Sequence, residues 1–180
     1  MPSVPDAPTY EALARQSMRG LAEPTDLDAM AVVFNLIRAA NRAQQDLETT
    51  VHRPAGVTWA AFRVLFTIFA VGPLTPLQLA RLSSVSAASV SSVLNTLERN
   101  GLVLRRPSQD DGRSLVVELT ARGQEVVGVL ALRNNEREVQ WASALTAAER
   151  RTFARLLHKI LAHRPPAPTS EPARLVDGGR

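Results

Sequence analysis

The sequence predicts a mainly α-helical protein with a winged helix-turn-helix core, a two-stranded β wing, and long N- and C-terminal dimerisation helices. Three observations predict it. Two short capped helices follow each other across a tight turn near residue 84, an Asp-Gly hairpin signal comes directly after them, and helical apolar periodicity fills both ends of the 180-residue chain. The composition agrees: 45% of residues are hydrophobic but only 4% aromatic, as in a helix-rich protein built on Leu, Val and Ala.

Taken in order, residues 1–25 hold four prolines and the amphipathic piece "YEALARQSMRGLAE", which reads as a flexible arm or a short helix. Leu27, Met30, Val33, Phe34 and Ile37 then recur at helical spacing and define a long helix to about Leu47. "HRPAGV" breaks it. Thr58 stands as the N-cap of a largely buried helix, "WAAFRVLFTIFAV", that Gly72 and Pro73 end. Thr75, Pro76 and Gln78 form a capping box with proline at the first helical position, opening a short helix that stops at Ser83 and Ser84.

Ser86 caps the next helix. Val90, Val93, Leu94 and Leu97 make one narrow buried stripe on it, and Asn100-Gly101 closes it. "LVLRR" and "SLVVEL" flank the tip "SQDDGR" as the two strands of a ribbon, since Gly112 accepts positive φ and Asp111 bonds back to local backbone. Thr120 begins a helix to about Ala144. "TAAE" at 146–149 is a second capping box, opening a last helix with Phe153, Leu156, Leu157, Ile160 and Leu161 on one side. The domains expected are thus an arm over 1–25, a dimerisation helix over 26–57, the winged domain over 58–120, C-terminal dimerisation helices over 121–163, and a disordered tail over 164–180.

Cysteine is absent, which excludes disulfides, thiolate zinc sites and thiol redox switches. His52, His158 and His163 are scattered, and the serines lack a nucleophile-elbow pattern or a neighbouring histidine, so no enzyme, metal or cofactor is expected. No apolar run approaches the roughly 20 residues that span a bilayer, and the first residues do not form a secretory signal, which predicts a cytoplasmic protein. The net charge of +4 is compatible with nucleic acid without demanding it.

The chemistry concentrates on the second helix of the pair. Opposite its buried stripe lie Ala88, Ser92, Asn95 and Arg99, flanked by Ser89 and Ser91, small or hydrogen-bonding groups near the N-terminal end. A recognition helix needs such a face, because its first turns enter the major groove and small side chains let the backbone approach base edges. An ordinary solvated, serine-rich face has the same composition. The ribbon favours contact with double-stranded DNA: Arg105 and Arg106 leave its first strand, Arg113 enters its second, and a basic wing can straddle phosphates and place an arginine in the minor groove. Asp111 is spaced to orient the Arg113 guanidinium.

The stretch from "LTPLQLARLSS" through "RRPSQDDGRSLVVELTARG" resembles the winged core of the multiple-antibiotic-resistance regulator (MarR) family of transcription factors. The likeness covers roughly residues 58–125 and includes "GLV" after the recognition helix, the Asp111-to-Arg113 spacing in the wing, and "ELT" before the next helix. It implies a homodimeric regulator, more often a repressor, with each winged domain on one half-site of a pseudopalindromic operator. Ser86, Ala88, Ser89, Ser91, Ser92 and Asn95 would lie at the major groove, with Arg106, Asp111 and Arg113 in the wing. It further implies a small aromatic or phenolic effector between the long helices and the winged domain, near Phe62, Arg63 and Phe66, residues that serve equally as plain core. The chain departs from the family pattern at Ala87, where an arginine or lysine is frequent, at Ser84, where a turn glycine is frequent, and at Gly112, where a second wing arginine is frequent. Two other readings fit the same fold: a winged-helix module that binds protein, and a ligand-binding dimer without specific DNA binding.

Overall fold

The computed structural model describes residues 5–21, 24–107 and 114–166. The chain divides into two compact units, residues 1–139 and 140–180. In the first unit the elements run α1 (Ala7–Arg19), α2 (Leu27–Leu47), α3 (Trp59–Val71), α4 (Pro76–Ser83), α5 (Ala87–Arg99), β1 (Val103–Pro107), β2 (Leu115–Leu119) and most of α6 (Ala121–Ala142). The second unit holds the end of α6 and α7 (Ala147–Ala162). No single helix among the described residues is long and apolar enough to cross a membrane.

The N-terminal arm is helical rather than loose over Ala7–Arg19, with Asp6 accepting from the Thr9 amide as N-cap. It packs on α2 through side-chain pairs: the Tyr10 and Phe34 rings lie 5.3 Å apart, the Arg38 guanidinium covers both at about 5 Å, and Asn35 donates to Glu11 at 2.7 Å. Nor does the chain leave the helix at once after Leu47. Glu48–His52 continue it as a π turn and Arg53–Ala55 as a 3-10 turn, until Gly56 ends it at φ 73°. The prolonged helix carries His52 into the interior.

The core lies where α3 meets α4, α5, α6 and the ribbon. Val64, Leu65 and Ile68 of α3 pack with Leu79, Val90, Leu94, Leu97, Val117 and Val127, all at most 3% exposed. Burying a side chain of this kind contributes roughly 1.5–3 kcal/mol, so the core fixes the orientation of every helix that feeds it. The ribbon is antiparallel, with Val103 opposite Leu119 and Arg106 opposite Val116. Leu74, between α3 and α4, clips it by a β-bridge, Leu74 N–H to Val117 O at 3.1 Å and Val117 N–H to Leu74 O at 2.8 Å.

At the far end of the ribbon, Thr120 donates its hydroxyl to Gly101 O at 2.7 Å and accepts from the Gly123 amide at 2.9 Å, which starts α6. Here α6 presses against the chain leaving α5. A Cβ on Gly123 would stand 1.9 Å from Leu102 O, a backbone atom that cannot swing away. α7 opens with a capping box, Thr146 and Glu149 satisfying each other's backbone amides, yet none of its residues is buried. Residues 164–166 belong to no helix or strand, and the rest of the expected tail lies outside the described residues.

Gly123→Ala is expected to destabilise the protein by about 1–3 kcal/mol, the usual range for forcing a methyl group into packed structure. Urea denaturation measures it, and a midpoint equal to that of the wild type would show that α6 and Leu102 are not in this contact.

Candidate nucleic-acid interface

The α4–turn–α5 unit is assembled by local chemistry. Thr75 and Gln78 cap each other's amides at the start of α4, and Ser83 Oγ donates to Leu79 O at 2.6 Å as the helix ends. Ser84 then takes φ 51°, the single non-glycine residue with positive φ among the described residues. The turn thus accepts a left-handed conformation, unfavourable by roughly 1–2 kcal/mol for a residue with a Cβ.

Beyond the turn, Ser86 caps α5. Its hydroxyl accepts from the Ser89 amide at 3.2 Å and donates to Ser89 Oγ at 2.8 Å, so both serines are tied to the first turn. Val90, Leu94 and Leu97 bury the inner face, 1–2% exposed, while Ala88, Ser89, Ser91, Ser92 and Asn95 are all exposed. The structure therefore brings Ser86 and these five residues together on the outer side of one 13-residue helix.

Asn95 is not left as an isolated reader. Its side-chain oxygen accepts from Arg105 Nη2 at 2.8 Å, and Arg105 Nη1 pairs with Glu98 at 3.0 Å. Arg105 thus latches α5 to β1. Arg106 pairs with Glu118 at 2.5 Å on the neighbouring strand. Register explains the pair: Arg106 faces Val116, and Glu118 is two residues along on the same side of the ribbon. Two of the three arginines read as a basic wing are therefore engaged within the domain. Asp111 and Arg113, the other wing residues, lie outside the described residues.

A concavity of about 710 Å³ opens between α2, α3, α4 and α6. Phe62, Arg63 and Phe66 all line it, with Trp59, Leu47, Ser83 and Asn134. Phe62 is also core, 5% exposed, whereas Phe66 is 44% exposed. Burial alone pulls the Arg63 guanidinium below its ordinary pKa, leaving a cation in a largely apolar wall.

Nothing in the sequence points to His52, yet it is fully buried here, with its ring 4.3 Å from Phe62 and 5.3 Å from Trp59. Its Nε2 meets Asn134 Oδ1 at 3.0 Å. Asn134 Nδ2 donates to Glu138 at 2.6 Å, so the asparagine must present its oxygen to the histidine, and His52 carries its proton on Nε2. That leaves Nδ1 as a buried lone pair without a partner, beside a Trp59 Nε1–H that also has none. A sequence separation of 82 residues gives no periodic signal by which the pair could be found.

The MarR family model matches residues 57–115, the span from the end of the π and 3-10 turns to the start of β2. Over those residues the chain is similar to the MarR family. It is 28% identical over 138 residues to YwaE of Bacillus subtilis (strain 168), described as an uncharacterised HTH-type transcriptional regulator, covering 77% of this chain and 81% of YwaE. Among solved structures, a mutant of E. coli MarR complexed with operator DNA is 26% identical, with a TM-score of 0.66, over 76% of this chain and 99% of that one. A MarR family protein of Mycobacterium tuberculosis complexed with salicylic acid is 29% identical, with a TM-score of 0.61, over 78% of this chain and 99% of that one. The family and the relatives that the chain resembles are transcriptional regulators, not enzymes.

Burial dominates the His52 environment and lowers its pKa; the Asn134 bond and the Glu48 charge oppose it more weakly. A neutral, buried histidine contributes stability that is complete above its unfolded pKa of about 6.5 and is lost as the pH falls below that value, because the unfolded chain then binds a proton that the folded one refuses. Urea midpoints should hold steady above about pH 7 and decline towards pH 5, with a smaller decline in His52→Gln. Equal declines in the two proteins would remove His52 as the cause.

Proposed function

We propose that the chain is a homodimeric repressor that binds double-stranded DNA at a pseudopalindromic operator and is released by a small aromatic or phenolic effector. The observation that carries the reading is the outer face of α5: Ala88, Ser89, Ser91 and Ser92 are short, exposed and hydroxyl-rich, and the core holds the helix from behind. Such a face lets a helix backbone approach base edges, with the serine hydroxyls as donors or acceptors. The structural likeness to E. coli MarR complexed with operator DNA supports it. In this reading Arg113 enters the flanking minor groove, Asp111 orients it, and Arg106, steered by Glu118, meets backbone phosphates. The work is done in the cytoplasm, where operator DNA lies.

Dimerisation is supported by apolar surface that the chain does not cover. Val32, Val33 and Ile37 of α2 are each 55% exposed. On α7, Phe153, Leu156, Ile160 and Leu161 are 44–82% exposed, at the spacing of one helical stripe. Surface of this kind is stabilised at about 25 cal/mol per Å² when a second copy covers it.

The cavity at Phe62, Arg63 and Phe66 is the proposed effector site. Aromatic walls and one guanidinium suit an aromatic acid, in keeping with the salicylic acid complex of the mycobacterial relative. Leu82 and Ser83 of α4 join the same wall, so an occupant touches the helix just before the recognition helix. An effector acts only through its differential affinity for dimer geometries that do and do not fit two half-sites about one helical turn apart.

One observation favours a second reading, a winged-helix module that binds protein: Arg105 and Arg106 are already paired with carboxylates. Fluorescence anisotropy with DNA from the gene's own upstream region, at about 50 and 200 mM salt, separates the two. The regulator reading predicts saturable binding that weakens steeply over that range, and an Arg113→Ala variant with a salt slope lower by about 1 and a clear loss of affinity. Equal binding by wild type and variant would dismiss Arg113 from the interface, and non-specific affinity alone would favour the protein-binding module.

A further inference from the structure

On the outer face of α5, the two ends of the Asn95 amide are committed differently. Its oxygen accepts from Arg105 Nη2 at 2.8 Å. A guanidinium only donates, so the atom that meets it must be the oxygen, and the amide nitrogen is the end left over. Asn95 is exposed, and among the described residues its Nδ2 donates to no protein group.

Arg105 is itself held. Its Nη1 pairs with Glu98 at 3.0 Å, three residues along α5 from Asn95, and its side chain is only 28% exposed. From its root in β1 the guanidinium therefore spans two residues of α5, and the Asn95 amide cannot turn over without exchanging a charge-assisted bond for donor against donor. The oxygen keeps a second lone pair, but a donor brought to it meets the guanidinium charge. Asn95 is thus presented outward as a hydrogen-bond donor.

That orientation bears on which base the helix can read. The pairing of asparagine with adenine needs both ends of the amide, the oxygen accepting from N6–H and the nitrogen donating to N7. With the oxygen held by a cation, this pairing is disfavoured. Guanine instead offers O6 and N7, two adjacent acceptors in the major groove, whereas cytosine offers a donor there and thymine one acceptor beside a methyl group. We propose that Asn95, its amide oriented by Arg105 as a positioning residue, is a specificity-determining residue that selects guanine at one position of each half-site. The proposal rests on the reading of α5 as the helix that meets DNA.

The test is selection of bound duplexes from a random DNA library by the full chain, with the enriched bases compared among wild type, Asn95→Asp, Arg105→Met and Arg105→Lys. Wild type should enrich a guanine that Asn95→Asp replaces by cytosine or adenine, whose amino groups donate to a carboxylate. In Arg105→Met, which frees the amide oxygen, the preference for guanine over adenine at that position should fall by about fivefold or more, within the discrimination such contacts give. Arg105→Lys, which also only donates, should keep it. A merely structural role for Arg105 would weaken binding to all sequences alike and leave the preference unmoved. The proposal is overturned if Asn95→Asp enriches the same bases as wild type, if the position it changes is adenine in wild type, or if Arg105→Met retains the full guanine preference. Enrichment of a defined sequence without an Asn95-dependent guanine sinks this proposal alone; no enrichment by wild type sinks the regulator reading with it.

Discussion

The rotation of α5 about its own axis is the constraint on which the rest depends. Three residues, Val90, Leu94 and Leu97, are 1–2% exposed and pin the helix against α3 and α4, so a turn of about 100°, one residue's worth, would bring an apolar side chain to the surface. With the inner face fixed, the outer face is fixed as well. Arg105 then ties that face to the ribbon by bonding Asn95 and Glu98 together, which couples the position of the wing to that of the helix.

A second set of contacts joins the long helices to this unit. Arg137 of α6 grips Asp46 of α2 through Nε and Nη2, at 2.6 and 2.7 Å, and His52 meets Asn134 one helical turn away. Arg–carboxylate pairs of this two-bond kind are stronger and more directional than single ones. The aromatic cavity lies alongside these contacts and reaches α4 through Leu82 and Ser83. An occupant there can bear on both the long helices and the helix that leads into α5, which is the connection a ligand-responsive regulator requires.

What the sequence revealed and what it concealed divide by distance along the chain. The caps at Thr58, Thr75, Ser86 and Thr146 were legible because each is a bond between residues three apart, and the α5 stripe was legible because burial repeats with the helical period. The ribbon followed from its Asp-Gly signal. The docking of α1 was not legible, since it depends on single pairs such as Tyr10 with Phe34 and Glu11 with Asn35 that leave no repeat. The same holds for His52 with Asn134 and Asp46 with Arg137, 82 and 91 residues apart. At the interface, exposure of the α5 residues could be read from periodicity, whereas the engagement of Asn95 by Arg105 and of Arg106 by Glu118 required the strand register.

The central claim is that DNA is read by the outer face of α5. Amide hydrogen exchange with and without upstream DNA addresses it most directly, because exchange reports which backbone amides a ligand covers. The account predicts slowed exchange at Ala87–Ser92, with none at Val64–Ile68 in the core. Unchanged exchange over Ala87–Ser92 at saturating DNA would contradict it, whatever the affinity.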